Sequence, residues 1–207
     1  RGDGVFVRSL ATRDGGAELS KAIVPAINLC KAAGYPLVIV ETSGIGQGSS
    51  AITEISDFHV YVMTPEFGAA SQLEKIDMLD FADMVVLNKF DRRGSEDALR
   101  DVRKQVQRNR KAFDVSPDTM PVFGTISSQF NDEGLNAAYL HLMDQVDTRA
   151  GTAHSSRIPD PGRRSSLPQQ RVVPPRRIHY LGEIAQTVRD YKRWVNGQAD
   201  KADQLQP

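Results

Sequence analysis

At 207 residues the chain has room for one well-buried core and an appendage, and two full domains would be tight. Lys+Arg and Asp+Glu both number 26, so the formal charge is zero and the chain as a whole has no electrostatic case for nucleic acid or an acidic membrane surface. One cysteine, Cys30, excludes a disulfide framework and fits a reducing cytoplasm, while no apolar run approaches the roughly 20 residues of a membrane span.

From Val5 to about Val146 short β-rich runs alternate with helical periods. Val5-Phe6-Val7 reads as the first strand. Leu19, Ile23, Ala26, Ile27 and Cys30 then mark one face of a helix that Gly34 stops. Further strands are predicted at Leu37–Val40, Phe58–Met63, Met84–Leu87 and Pro121–Phe123, with helices near Gln72–Leu79, Glu96–Lys111 and Gly134–Val146. Most of these strands are nearly continuous in apolar residues, as strands buried on both faces of a parallel sheet are. The alternation predicts a doubly wound, mostly parallel α/β sheet.

Beyond about Thr148 the composition shifts. Ala150–Arg177 is rich in Pro, Ser, Arg and Gly and shows no period, so residues 149–177 are expected to form an extended or mobile linker. From Ile178 onward Leu181, Ile184, Ala185, Val188, Tyr191, Trp194 and Val195 recur at three- and four-residue steps. An amphipathic helix is predicted there, fraying in the polar stretch Gln198–Pro207 and leading towards a further domain.

In an open α/β sheet, ligands bind outside the carboxyl ends of the strands. Asn88-Lys89-Phe90-Asp91 directly follows Met84–Leu87. A carboxylate at Asp91 can accept from both the ring N–H and the exocyclic amine of guanine, a pair adenine does not offer. Asn88 can bond the other ring edge and tie neighbouring loops together, and the Lys89 stem can lie along the base. Such a site rejects the wrong base because its own polar groups would be left unpaired. The bland alternative is a chance match in a polar loop.

The second stretch, Glu41-Thr42-Ser43-Gly44, follows Leu37–Val40. A carboxylate there can hold Mg²⁺ through its water shell, Thr42 can add an oxygen, and Gly44 lets a backbone N–H approach a γ-phosphate. Gln47, within the glycine-rich continuation, can orient a water; the alternative is a plain glycine-rich loop. Ser127-Ser128, after the strand at Val122-Phe123, is a weaker candidate for supporting the guanine carbonyl through backbone N–H groups.

Other features read as structural. Gly15-Gly16 is a turn, the alternating charges of Glu96–Arg110 are a solvated helix face, and His59, His141, His154 and His179 are scattered without cysteine partners. Arg163-Arg164 and Arg176-Arg177 suit solubility or docking to another domain. No Gly-Lys dipeptide occurs, so the G-x-x-x-x-G-K-[ST] loop that cradles phosphates is missing. Since the chain opens on Arg1, that loop, its strand and the first switch are expected upstream, and the 207 residues alone are expected not to hydrolyse GTP. The residue that catalyses hydrolysis is not readable.

With these motifs in place, the sequence resembles the P-loop GTPases of the MeaB and ArgK type, which chaperone adenosylcobalamin-dependent acyl-CoA mutases. The resemblance rests on Glu41-Thr42-Ser43-Gly44-Ile45-Gly46-Gln47, Asp57-Phe58, Thr64-Pro65-Glu66-Phe67-Gly68, Ala82-Asp83 and the guanine motif. Pro65 to about Asp77 resembles the family's extra switch, although Phe67 departs from many relatives. Phe6–Arg13 and Asn88–Gly94 are similar to the version fused between a cobalamin-binding domain and an isobutyryl-CoA mutase barrel. The resemblance implies GTP at Asn88–Asp91, Mg²⁺ at Glu41 and Thr42, adenosylcobalamin held outside this chain, and partner domains in the same polypeptide within a homodimer. A stand-alone chaperone of methylmalonyl-CoA mutase and a non-catalytic interaction module stay open as alternatives.

Overall fold

The computed structural model describes residues 4–11, 19–42, 51–68, 73, 76–167 and 180–204. The chain forms two compact units, Arg1–Leu167 and Pro168–Pro207. The first is built on three parallel strands in the order β1-β2-β3: β1 Val60–Met63, β2 Met84–Asn88 and β3 Val122–Thr125. Val60 faces Met84 across the first pair, and Val85 faces Val122 across the second.

The continuous apolar run of β2 is explained by what covers it. Side chains alternate between the two faces of a strand. Val85 and Leu87 join Val122 on one face, beneath Ala98, Leu99, Val102 and Val106 of α3 (Ser95–Asn109). Met84, Val86 and Phe123 form the other face with Ala137, Ala138 and Leu142 of α4 (Glu133–Ala150). Each fully buried Val, Leu, Met or Phe among them contributes roughly 1.5–3 kcal/mol by leaving water, and each alanine less. These helices match the predicted ones within a few residues at each end.

Local signals set the helix boundaries. Gly94, at φ 83°, turns the chain into α3, whose first turn carries Glu96 and Asp97 against the positive end of the helix dipole. Asp132 caps α4 by accepting from Leu135 N at 2.8 Å, and Gly151 closes it in the left-handed conformation. A Cβ on Gly134 would lie 1.9 Å from Gly124 O, so only glycine lets this helix start so close to β3.

Two predicted strands are corrected. Val5–Val7 and Leu37–Val40 belong to no ladder among the described residues, and Val7 and Ile39 are 78% and 82% exposed. A strand exists only where a neighbour satisfies its N–H and C=O groups, and apolar, β-branched sequence does not supply that neighbour. Between them α1 (Ile23–Ala32) forms and ends at Gly34, φ 82°, as predicted. Of the helix expected near Gln72–Leu79, Gln72, Glu74 and Lys75 lie outside the described residues, which show buried Leu73 and the short α2, Met78–Phe81.

Part of the stretch expected to be a linker lies on the sheet. Gly124 N donates to Arg164 O and Ser166 N donates to Gly124 O, both at 2.9 Å, making a parallel bridge on the edge of β3 away from β2. Arg164 anchors it, donating to Thr119 O and Met120 O at 2.6 Å and lying over the Phe123 ring.

The second unit contains α5, Tyr180–Gln204. Its exposed stripe of Ile184, Val188, Tyr191, Trp194 and Val195 follows the predicted spacing, with Tyr191 stacked on Trp194. The helix continues through the polar Gln198–Gln204, where fraying was expected. Among the described residues, no helix is long and apolar enough to cross a membrane.

Candidate nucleotide-binding site

The carboxyl ends of β2 and β3 are tied together by one side chain. Asn88, the last residue of β2, accepts three hydrogen bonds at Oδ1: from Ser127 Oγ at 2.8 Å, Ser127 N at 3.2 Å and Thr125 Oγ1 at 3.3 Å. Thr125 is fully buried. Two loops 37 to 39 residues apart in sequence thus meet on a single acceptor.

The next residue turns the chain. Lys89 adopts φ 58°, uncommon for a side chain with a Cβ and costing on the order of 1 kcal/mol. The turn tucks Phe90 inward, where it is 6% exposed, and Phe90 N donates to Thr125 O at 3.0 Å. Gly124 makes this possible, since a Cβ there would sit 2.6 Å from the Phe90 ring. Burying Phe90 and Thr125 leaves Lys89, Asp91 and Ser127 exposed at the rim. The rim therefore combines an acid, a cation and a hydroxyl around the Asn88 amide, the donor and acceptor set that suits a nucleobase edge.

Two further contacts brace the rim. Arg92 forms an ion pair with Glu66, in the turn after β1. Gly68 packs so tightly on α3 that a Cβ would lie 2.5 Å from Ala98 Cβ. Behind the rim, Asp132 is wholly buried and accepts at Oδ2 from Ile126 N at 3.1 Å and from Ser166 Oγ at 2.7 Å. Thr125, Asp132 and Ser166 were missed by sequence reasoning. Only Asp132 carried a signal, as a helix-capping residue type just ahead of a helical period.

Glu41 is exposed and Thr42 half-buried at the end of a described stretch, and Ser43–Gln47 lie outside the described residues. A carboxylate beside a hydroxyl is a hard-oxygen pair that fits Mg²⁺, which takes one or two carboxylates and completes its shell with water and phosphate oxygens. Among the described residues, no three His, Cys, Asp or Glu side chains converge on a metal. Gly15-Gly16, His179 and Arg176-Arg177 also lie outside them.

Other singled-out residues sit elsewhere. Asp83, at the amino end of β2, accepts from His59 N at 2.8 Å and Arg149 Nη2 at 2.9 Å, a structural knot at the opposite pole of the sheet. A cleft of about 460 Å³ opens at that pole, lined by Asp83, Arg110, His141 and Arg164. Acids and bases there face one another, and Arg110 donates to Ala82 O and Asp83 O. His141 packs on Phe123, and its pKa is lowered by burial and then by Arg164. Arg163 pairs with Glu133 and Arg164 holds β3, so the first basic pair docks on its own domain.

The chain is 54% identical over 196 residues to the fused isobutyryl-CoA mutase of Paraburkholderia xenovorans, covering 94% of this chain and 15% of that protein. It is 53% identical over 205 residues to the fused isobutyryl-CoA mutase of Nocardia farcinica, covering 99% of this chain and 19% of that protein. The chain thus spans less than a fifth of the length of these relatives. A Caenorhabditis elegans protein named methylmalonic aciduria type A homolog, mitochondrial, is 29% identical over 86 residues, covering 42% of this chain and 22% of its own length. Residues 1–159 match the family described as methylmalonyl Co-A mutase-associated GTPase MeaB, and the chain belongs to that family.

Proposed function

We propose that the chain is the base-reading part of a GTP-binding and GTP-hydrolysing module in a fused adenosylcobalamin-dependent isobutyryl-CoA mutase. The observation that carries this reading is the Asn88 junction: its Oδ1 ties the β3 loop at Ser127, and Asp91 stands three residues on at the exposed rim. With Oδ1 so engaged, the Asn88 amide nitrogen is a donor for the acceptor nitrogen of a purine ring. The Asp91 carboxylate accepts from the ring N–H and the exocyclic amine of guanine, and Lys89 covers the base with its stem. Ser127 and Ser128 border the guanine carbonyl.

Phosphate transfer to water needs positioning and electrostatics more than covalent chemistry. Glu41 and Thr42 would hold Mg²⁺, which supplies charge neutralisation at the phosphates. The phosphate-cradling loop belongs to sequence outside these residues, since they contain no Gly-Lys dipeptide. The 207-residue chain alone is accordingly inactive as a GTPase. In the complete cytoplasmic protein, a homodimer, nucleotide state would gate cofactor loading and protect the mutase. The GTPase domain, without its phosphate loop, would extend past residue 148 to the 163–167 segment seated on β3, and 178–207 would be a helix leading to a further domain. The fused reading is favoured over a stand-alone chaperone because fused relatives align over 94–99% of the chain, past the residue-159 limit of the family match.

The test is Asp91→Ala in the full-length protein. Losing two hydrogen bonds to a carboxylate should lower GTP-over-ATP selectivity by on the order of a thousandfold in nucleotide titrations. Unchanged selectivity would contradict the reading.

A further inference from the structure

The stretch that sequence composition marks as a linker reaches the base-reading loop through a buried chain of hydrogen bonds. Ser166 is 2% exposed, and its backbone N–H already donates to Gly124 O at 2.9 Å. A serine hydroxyl has one proton. Its shorter contact is to Asp132 Oδ2, at 2.7 Å against 3.0 Å to Gly124 O, so the proton goes to the carboxyl group. The same Oδ2 atom accepts from Ile126 N at 3.1 Å and Leu135 N at 2.8 Å. Ile126 directly precedes Ser127, whose N and Oγ both donate to Asn88.

Asp132 has little slack. Its Oδ1 is buried and has no hydrogen-bond partner among the described residues, so Oδ2 carries all the polar contacts of a fully buried carboxyl group. Removing one of three donors from such a group is costly, and the group relaxes towards any partner it can reach. The backbone around it is too close-packed to move independently: a Cβ on Gly134 would also lie 2.6 Å from Ser166 Oγ. On the outer side, Arg164 pins the segment to Thr119 O and Met120 O.

We propose that Ser166 is a specificity-positioning residue: acting through Asp132, the 163–167 segment holds the Ile126–Ser128 loop where its N–H groups meet the guanine carbonyl. The inference rests on the guanine reading above and adds the element that fixes the loop. It also makes base recognition depend on how the segment leaving the GTPase core is seated.

The experiment uses the full-length protein, with calorimetric titration of GDP, ADP and the diphosphate of 2-aminopurine riboside, which keeps the exocyclic amine of guanine but lacks the carbonyl and the ring N–H. Ser166→Ala should weaken GDP about tenfold, the worth of one hydrogen bond to a charged group, and the 2-aminopurine nucleotide less than about twofold. Amide hydrogen exchange at Ile126 and Ser127 should quicken alongside. Ser166→Cys, nearly isosteric with a weaker donor, should fall between the two and carries the same comparison if the alanine variant does not fold. Unchanged GDP affinity, or equal weakening of GDP and the 2-aminopurine nucleotide, overturns the inference alone. A native protein that does not prefer GDP to ADP overturns the guanine reading and this inference with it.

Discussion

Leu87 and Ile39 lie in equally apolar four-residue runs, yet Leu87 is fully shielded from water and Ile39 is 82% exposed. Leu87 sits in a strand paired on both sides and covered by α3, whereas Ile39 has no ladder partner among the described residues. The difference teaches that burial is conferred by neighbours. It also separates the two candidate site regions: the loop after β2 stands on a packed sheet with a hydrogen-bonded partner loop, while Glu41 and Thr42 follow a run that has no ladder partner among the described residues and leaves Leu37 and Ile39 exposed.

The contrast can be broken by truncating each run in the 207-residue chain. Leu87→Ala should cost about 2–5 kcal/mol in denaturant unfolding, as a large-to-small change in a closed core does, and Ile39→Ala no more than about 0.5 kcal/mol. Comparable losses would mean that the two runs are packed alike.

A smaller effect should come from the junction. Asn88→Ala leaves the buried Thr125 hydroxyl and both Ser127 donors without their acceptor, a loss of about 1–3 kcal/mol of stability. Faster amide exchange at Ser127 should accompany it. If stability and exchange stay native, Asn88 is not what ties the loops.

The smallest effect concerns pH at the far pole. Burial first, then Arg164, lower the pKa of His141 from its ordinary 6.5, so the folded chain binds that proton less readily than the unfolded chain. Its contribution is therefore intact above pH 6.5 and lost as pH falls below it. His141→Gln should flatten the stability profile below about pH 6.5, measured by thermal unfolding at stepped pH. A profile unchanged by the substitution would show that His141 does not set it.

The Asn88–Asp91 loop was legible as a candidate site because its four residues are contiguous and follow a buried strand, so position and chemistry are read together. β2 was legible as a short run apolar throughout, and α3 as charges recurring at helical spacing. Thr125, Asp132 and Ser166 were not, because their roles arise from contacts 34 to 37 residues apart in sequence. The seat of residues 163–167 was hidden too: a parallel bridge needs backbone groups, one serine and one arginine, none of which composition distinguishes from a solvated linker. Conversely, Val5–Val7 and Leu37–Val40 carry strong local signals that no partner among the described residues completes.

The central claim, that Asn88 to Asp91 reads guanine, is tested most directly by Asp91→Asn in the full-length protein. Xanthine replaces the exocyclic amine of guanine with a carbonyl, and an asparagine amide can donate to that carbonyl where aspartate cannot. The account predicts that GDP binding weakens by on the order of a hundredfold or more while XDP binding strengthens, reversing the preference in paired titrations. Native-like GDP affinity with no gain for XDP would contradict it.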